Sequence, residues 1–497
     1  MIPPIRSIYS SSSFKWWVYV TVATGTAITV AEQTASSIVI PRISEEFGAD
    51  IATAQWMPIT YMLIVCTLMM PAAKIVDYFG QRRVWIGGLY VLAFASLFIA
   101  FSQSFSMILV GKAIMALGAS AVQANGIAMM ASSFPEHERG KAMGLHMTAV
   151  GVGAVGGPLV GGIDSLFDWR AVFIFLGIFQ LIANVIAMLV LTDKGRKKVE
   201  ADLAESRKFD WRGVLLSMCF LIAFMLSVSL GNKLGWFSLF VLGGLGISIV
   251  ILIIFIFEEN KSSNPLLPLY LFRIKSFSLG SLARFLCFMA GSSVFFLLPF
   301  FLVSGVGMTT ARAATYMLPS AVTMALFGPF SGRIADRIGN KLPSLIGMSC
   351  STLAMYIFST ITLDSNPLII SVAAALSGTG LSIFMAPNTT SIMGEIDRAH
   401  YGVISAFMNL TRNSAHIVGI AIPTAVVVLV MSNLGYEADL SDPQKLIDLG
   451  LRTSYVSGMQ RAFQVSLFFM VLAMVVTGLV PKTQIPSFNP DDKRYDR

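Results

Sequence analysis

Apolar stretches of about 20 residues recur along the whole chain, and a helix of that length crosses the hydrocarbon core of a bilayer. Fourteen are readable: 16–40, 53–75, 84–103, 105–132, 142–166, 171–192, 211–231, 236–257, 277–303, 311–335, 342–363, 367–393, 402–432 and 461–480. They are too long, and too free of alternation, for the strands of a membrane barrel. Only 12% of the 497 residues are charged, against about 25% in soluble domains. The first run follows Lys15 without a small-residue cleavage site, so it is read as a retained span rather than a signal peptide. The preceding 10-SSSSF-14 reads as an exposed, disordered start. The expectation is an all-α polytopic membrane protein.

The basic residues set its orientation. With the N-terminus in the cytoplasm, 25 of the 35 Lys and Arg fall in cytoplasmic segments, most densely in 193-DKGRKKVEADLAESRKFD-210. Outside loops hold Arg42, Arg170, Lys233, Arg312, Lys445, Arg452 and Arg461. An even span count puts the tail 481–497 in the cytoplasm as well. The net charge of +8 is therefore a topology signal and implies no nucleic-acid partner. Cys66, Cys219, Cys287 and Cys350 each fall in a different apolar run. They have no metal-ligand spacing and read as small buried hydrophobes. No metal or cofactor is expected.

The chain also repeats itself. The loop 73-AKIVDYFGQRR-83 returns as 332-GRIADRIGNK-341. At a similar offset 117-LGAS-120 answers 377-SGTG-380, and 140-GKAMG-144 answers 402-GVISA-406. The expected organisation is a six-helix bundle over 1–192 and a linker with two inserted helices over 193–265. A second six-helix bundle over 266–480 and a tail over 481–497 follow. Two repeated bundles with a site between them are a transporter plan.

These motifs, in this order, resemble the major facilitator superfamily, and within it the fourteen-span drug:proton antiporter branch. The loop carrying Asp77, Gly80, Arg82 and Arg83 is similar to the superfamily's first cytoplasmic motif, with Ala73 and Tyr78 departing from it. The second copy, Gly332, Asp336, Arg337, Gly339 and Lys341, is closer. The stretch 151-GVGAVGGPLVGG-162 resembles the antiporter motif of span 5, carried by Gly153, Gly157, Pro158, Gly161 and Gly162. Trp169, Arg170 and Phe173 match a following Trp-Arg-x-x-Phe; Gln55, Trp56 and Tyr61 match the start of span 2. Here 31-AEQT-34 stands where the branch has Leu-Asp-x-Thr, and Lys112 where it has Arg. Arg412 falls where the branch has an Arg in span 13. The resemblance implies alternating access, a monomer in a bacterial inner membrane, and a latch at the Asp77 loop against the other half. It also implies that the glycine face of span 5 packs against the other half.

The intramembrane charges carry the chemistry. Glu32 lies roughly 24 Å along span 1. A charge at such depth costs on the order of 2.5–3.5 kcal/mol. Away from water the charged carboxylate is disfavoured, so such a group can take up and release protons. Lys112, at a similar height, is the expected partner, either in proton coupling or as a fixed brace between spans 1 and 4. Arg412 and Arg284 lie roughly 16 and 12 Å into spans 13 and 9. One acid against three bases favours an anionic or zwitterionic amphiphile over a dication. The polar residues Gln33, Thr34, Gln123, Asn125, Asn388 and Asn409, with Gln55, Trp56 and Tyr61, either line the cavity or bridge helices. His146 and His416 read as hydrogen-bonded core residues or a relay.

The expected function is export of a hydrophobic or amphiphilic compound, drug-like or lipid-like, in exchange for protons. The partners are that substrate, protons and membrane lipids. No ATP-binding motif or enzyme motif is present. The alternatives are proton-independent lipid or metabolite transport, or a non-transporting sensor on the same fold.

Overall fold

The computed structural model describes residues 14–49, 51–54, 56–165, 167–191, 210–262, 265–308, 310–397, 400–436 and 449–481. The serine run before Phe14, Gln55, the basic loop before Asp210, the tail after Pro481 and the side chain of Asp77 lie outside the described residues.

Fourteen long helices make up the described chain, with no strand among the described residues. They are α1 (Phe14–Phe47), α2 (Trp56–Phe79), α3 (Gln81–Ala100), α4 (Phe105–Ser133), α5 (Arg139–Gly161), α6 (Trp169–Val190) and α7 (Trp211–Leu234). Then follow α8 (Leu239–Lys261), α9 (Lys275–Phe300), α10 (Thr310–Ile338), α11 (Lys341–Ser359), α12 (Pro367–Gly394), α13 (Tyr401–Asn433) and α14 (Leu449–Leu479). Gly80 and Gly339, at the two loop motifs, have φ of 85° and 86°. Glycine is suited to such left-handed turns, which end one helix and start the next at once.

Twelve of the fourteen are long and apolar enough to cross a membrane by length and composition; α1 and α10 are the exceptions. Their sequences show why. α1 carries Glu32, Gln33, Thr34, Ser36 and Ser37 and packs on α4, α5 and α6, so protein surrounds much of it. α10 divides by side-chain size. Leu318, Val322, Leu326, Phe330, Ile334 and Ile338, four residues apart, form an exposed apolar stripe, about 30 Å long at helical rise. Ala321, Ala325, Gly328 and Gly332 lie against α5.

Six helix pairings in α1–α6 recur in α9–α14. The contacts α1/α4, α1/α5, α1/α6, α2/α4, α3/α4 and α3/α6 are matched by α9/α12, α9/α13, α9/α14, α10/α12, α11/α12 and α11/α14. The two sets meet along α5/α10 and α5/α12 on one side and α2/α13 and α4/α13 on the other. α7 and α8 pair with each other, and α7 also packs on α2 and α13.

Three expectations are corrected. α1 continues through Pro41 to Phe47. α14 begins at Leu449 rather than near 461, which puts Arg452 and Arg461 inside a helix. Arg452 is held there because its Nε donates to the Gly305 carbonyl at 2.8 Å, at the π-helical turn ending α9. Cys219, read as buried, is exposed.

Candidate functional site

Glu32 and Lys112 meet in the core of the first helix set. Lys112 Nζ lies 2.7 Å from Glu32 Oε1, and the two side chains are 4% and 1% exposed. Ser36, one turn beyond Glu32, completes a triangle. It donates to Glu32 Oε1 at 2.9 Å and accepts from Lys112 at 2.7 Å. The ammonium also sits over two rings, 5.7 Å from the Tyr61 centroid and 5.3 Å from Phe173. Gln33 donates to the Tyr61 hydroxyl at 3.3 Å. Four helices, α1, α2, α4 and α6, therefore converge on one ion pair. Glu32 Oε2 finds no hydrogen-bond partner among the described residues. The Trp-Arg-x-x-Phe match acquires a physical reading here. Phe173 faces the ammonium, while Arg170 forms an ion pair with Glu46 at the far end of α1, at 2.7 Å.

The two buried guanidiniums of the second helix set are held without acids among the described residues. Arg284 donates to the Met408 carbonyl and to Thr389 Oγ1, each at 3.2 Å, and lies over the Phe288 ring. Arg412 donates to Gln123 Oε1 at 2.9 Å and to Asn413 Oδ1 at 3.2 Å. Among the described residues neither guanidinium has a carboxylate partner; all of these acceptors are neutral. Asn413 also donates to Gln123 Oε1, and Asn409 donates to the Gln123 backbone carbonyl at 2.9 Å. Gln123 thus joins α4 of one set to α13 of the other. Its Nε2, and Nδ1 of buried His146, find no partner among the described residues. His146 lies within electrostatic reach of both guanidiniums. His416 contacts Ser292 through Nδ1 at 2.5 Å. An acid-free centre with two guanidiniums and unfilled N–H groups is suited to an anion.

The seam between the sets at α5/α10 is backbone against backbone. A Cβ on Gly144 would strike the Gly328 carbonyl, and one on Gly332 would strike the Gly140 carbonyl. Each helix supplies a Gly-x-x-x-Gly pair, 140/144 and 328/332, running antiparallel. Thr148 extends the contact by donating to the Ala325 carbonyl at 3.0 Å. At its end Asp336 accepts from the backbone amides of Gly140 and Lys141, both at 2.9 Å. These are the first free amides of α5, where the helix dipole favours an anion.

Other expected residues lie elsewhere. Gly153, Gly157 and Gly161 face Ala27, Thr34 and Ile38 of α1, so this glycine face packs within its own half and not against the other. Gly151 alone of that run meets α10, at Ala325. The periodicity gives a face but not its partner. Thr34 sits at this α1/α5 contact, bonded to the Val30 and Ala31 carbonyls. Pro158 is exposed and Gly162 has open space around it. Asn125 donates to the Gln81 carbonyl at 2.6 Å, and Asn388 to the Gly280 carbonyl at 3.0 Å; both brace helices. Trp56 is the first residue of α2, half-buried. Arg82 donates to the Met188 carbonyl at 3.4 Å, while Arg83 and Arg337 are exposed. Gln55 and the Asp77 side chain are outside the described residues. Ser36, Gly144 and Gly328 were not singled out as site residues, and Phe173 and Gly332 only as members of motifs. The i, i+4 spacing from Glu32 and the two Gly-x-x-x-Gly pairs were the available signals.

The profile of the Major Facilitator Superfamily matches residues 22–420. The chain belongs to the major facilitator superfamily. Its relatives include the riboflavin transporter RibZ of Clostridioides difficile, 27% identical over 82% of this chain and 87% of that protein. The tetracenomycin C resistance and export protein of Streptomyces glaucescens is 27% identical over 84% and 77%. The lincomycin resistance protein LmrB of Listeria monocytogenes is 24% identical over 91% and 94%. The last two names mark the drug-efflux type of the superfamily. The solved structure of the human organic anion transporter MFSD10 superposes with a TM-score of 0.65, covering 93% of this chain and 99% of that one. At 13% identity it shows the fold alone. The chain is a multi-pass membrane transporter rather than an enzyme.

Proposed function

We propose that this transporter exports an anionic or zwitterionic amphiphile, drug-like or lipid-like, across the cytoplasmic membrane in exchange for protons. All fourteen long helices span, with both termini in the cytoplasm. The exposed apolar stripe on α10 suits contact with lipid, and the basic residues cluster on one side. The sets α1–α6 and α9–α14 are the units that rock. The observation that carries the reading is the division of buried charge. The Glu32–Lys112 pair sits in one unit, and two guanidiniums without a carboxylate sit in the other. Relatives named as riboflavin and drug transporters fit aromatic or amphiphilic cargo.

Protonation of Glu32 dissolves the pair that braces α1 against α4, so the brace can differ between inward- and outward-facing states. A freed Lys112 would by charge alone favour an anion. Exchange therefore requires that the pair be intact when substrate binds, and the direction of proton flux decides the matter. In proteoliposomes, anionic amphiphiles should drive protons the opposite way, and Glu32→Gln should remove the pH dependence of transport. Equal pH dependence in both proteins would leave Glu32 a fixed brace in a proton-independent carrier. Proton movement with the substrate would overturn exchange. Activity confined to quaternary ammonium compounds would overturn the anion.

A further inference from the structure

A cavity of about 440 Å³ lies where the inserted pair meets the two helix sets, a size typical of ligand pockets. Its walls come from α2 (Met70), α7 (Ser217, Phe220, Leu221), α8 (Leu252, Phe255, Ile256), the connecting segment (Leu267, Leu269, Phe272) and α13 (Phe407, Leu410). Ser217 is the sole polar residue of this lining, and its hydroxyl donates to the Val214 carbonyl within α7. No wall group is left to hold water, so the chamber suits hydrocarbon and not a hydrated ligand.

Its mouth opens beside exposed apolar side chains. Ile256 and Phe272 are exposed as well as lining, and their neighbours Ile253, Ile254 and Phe257 on α8 are exposed too. Exposed cations flank the wall segments in the chain: Arg212 at the start of α7, Lys261 at the end of α8, Arg273 next to Phe272 and Lys275 at the start of α9. Arg212 is 3.8 Å from Glu258, so its charge is partly offset. Leu221 forms a cluster with Cys66 and Met225, and Leu410 packs against it. Two residues beyond Leu410 is Arg412.

We propose that this chamber takes the acyl tail of an anionic lipid from the cytoplasmic leaflet, with the head group held at the rim of Arg273 and Lys275. The orientation and the anionic class rest on the function proposed above. The tail fills the apolar walls while the head stays at the interface. Leu410, Leu221 and Met70 then separate the tail from the Arg412 centre, so a shift of α7 would join the two spaces.

Photolabelling tests this on the full chain in nanodiscs. The probes are phosphatidylglycerol and phosphatidylcholine carrying a diazirine in one acyl chain, and crosslinks are mapped by mass spectrometry. The anionic lipid should label Phe220, Leu252 and Phe272 at least threefold more than the zwitterionic one. Ser217→Trp, which fills the chamber, should lower that labelling several-fold and leave Ile247 and Val250, exposed on the opposite face of α8, unchanged. Should Ser217→Trp fail to give a monodisperse protein, Leu252→Trp fills the same space from the lipid side. Equal labelling by both lipids, or labelling that persists in the filled variant, would overturn the proposal. Photolabelling needs no gradient and no transport. A negative result here leaves proton exchange standing, and a failure at Glu32 leaves the chamber standing.

Discussion

The two seams that join the helix sets occupy matching places in the repeat and are built in opposite ways. At α5/α10 the residues facing each other are Gly140, Gly144 and Thr148 against Gly332, Gly328 and Ala325. The repeat puts Gly402, Ala406 and Leu410 in the corresponding places on α13, and Ala73, Met69 and Cys66 on α2. Where side chains are absent the backbones touch. Where Met69, Cys66 and Leu410 project, the helices stand apart, and α7 packs on both with Leu221 and Met225 at Cys66. Charge divides the halves as well, paired in the first and unpaired in the second. A scaffold with repeated pairings thus joins its two sets by backbone contact at one seam and with an added helix at the other.

Buried charge should give the largest contrast. Lys112→Ala leaves the Glu32 carboxylate buried without its counter-ion, and breaking such a pair costs about 3–5 kcal/mol. Arg412→Gln removes a cation that has only neutral acceptors, so the loss should be nearer the ~1–2 kcal/mol of its hydrogen bonds. Thermal unfolding in detergent should therefore rank Lys112→Ala well below Arg412→Gln, while both abolish transport. Equal destabilisation would mean that the second half is as compensated as the first. The double variant Glu32→Gln/Lys112→Met should regain most of the stability and none of the pH dependence.

The seams come next. Gly332→Ala gives α10 the residue that α2 already carries at Ala73, yet its Cβ would meet the Gly140 carbonyl, which cannot turn aside. Overpacking of this kind costs about 1–3 kcal/mol. The reverse exchange, Ala73→Gly, should cost about 1 kcal/mol of helix propensity and little packing. Unfolding midpoints of the two variants test the contrast, and a tolerant Gly332→Ala would mean that the α5/α10 seam is looser than its backbone contact implies.

Much of this was legible in the sequence because membranes make polar residues conspicuous. Glu32, Lys112, Arg284 and Arg412 stand out in apolar runs, and equal depth along spans 1 and 4 was enough to pair the first two. The repeat was readable from its two Asp-bearing loops. What stayed hidden is what depends on a partner helix. The 41 glycines offer many small-residue faces, and nothing local tells that Gly144 meets Gly328 while Gly157 meets Thr34. Asn125 and Gln123 looked alike, but two residues on a helix turn the side chain through about 200°, so one braces α3 and the other accepts from Arg412 and Asn413 of α13. The early start of α14 was missed because apolarity marks the lipid-facing part of a helix, not its length.

The smallest expected effect sharpens what closes the α5/α10 seam. Asp336 lies just past the expected end of its span, half-buried, with its carboxylate on the amides of Gly140 and Lys141. Burial pushes its pKa up to about 6, and the two amides pull the other way without prevailing. His137 also lowers it and Glu138 raises it. A raised value means that the closed seam binds a proton more tightly than an open seam with a solvated Asp336. Closure is therefore favoured as pH falls from 7 through 6, most fully below the ordinary aspartate range, and that contribution is lost as pH rises through 6. The carboxyl is partly screened by solvent, so the expected change in the closed population is only about threefold to tenfold. Spin labels at Lys141→Cys and Arg337→Cys, read by distance measurements between pH 7 and 5, should show the short distance gaining. Asp336→Asn should flatten the response while leaving any contribution of His137 and Glu138. The opposite direction, with the short distance lost on acidification, would mean that the amides and the helix dipole outweigh burial, and that the seam is held by a charged latch after all.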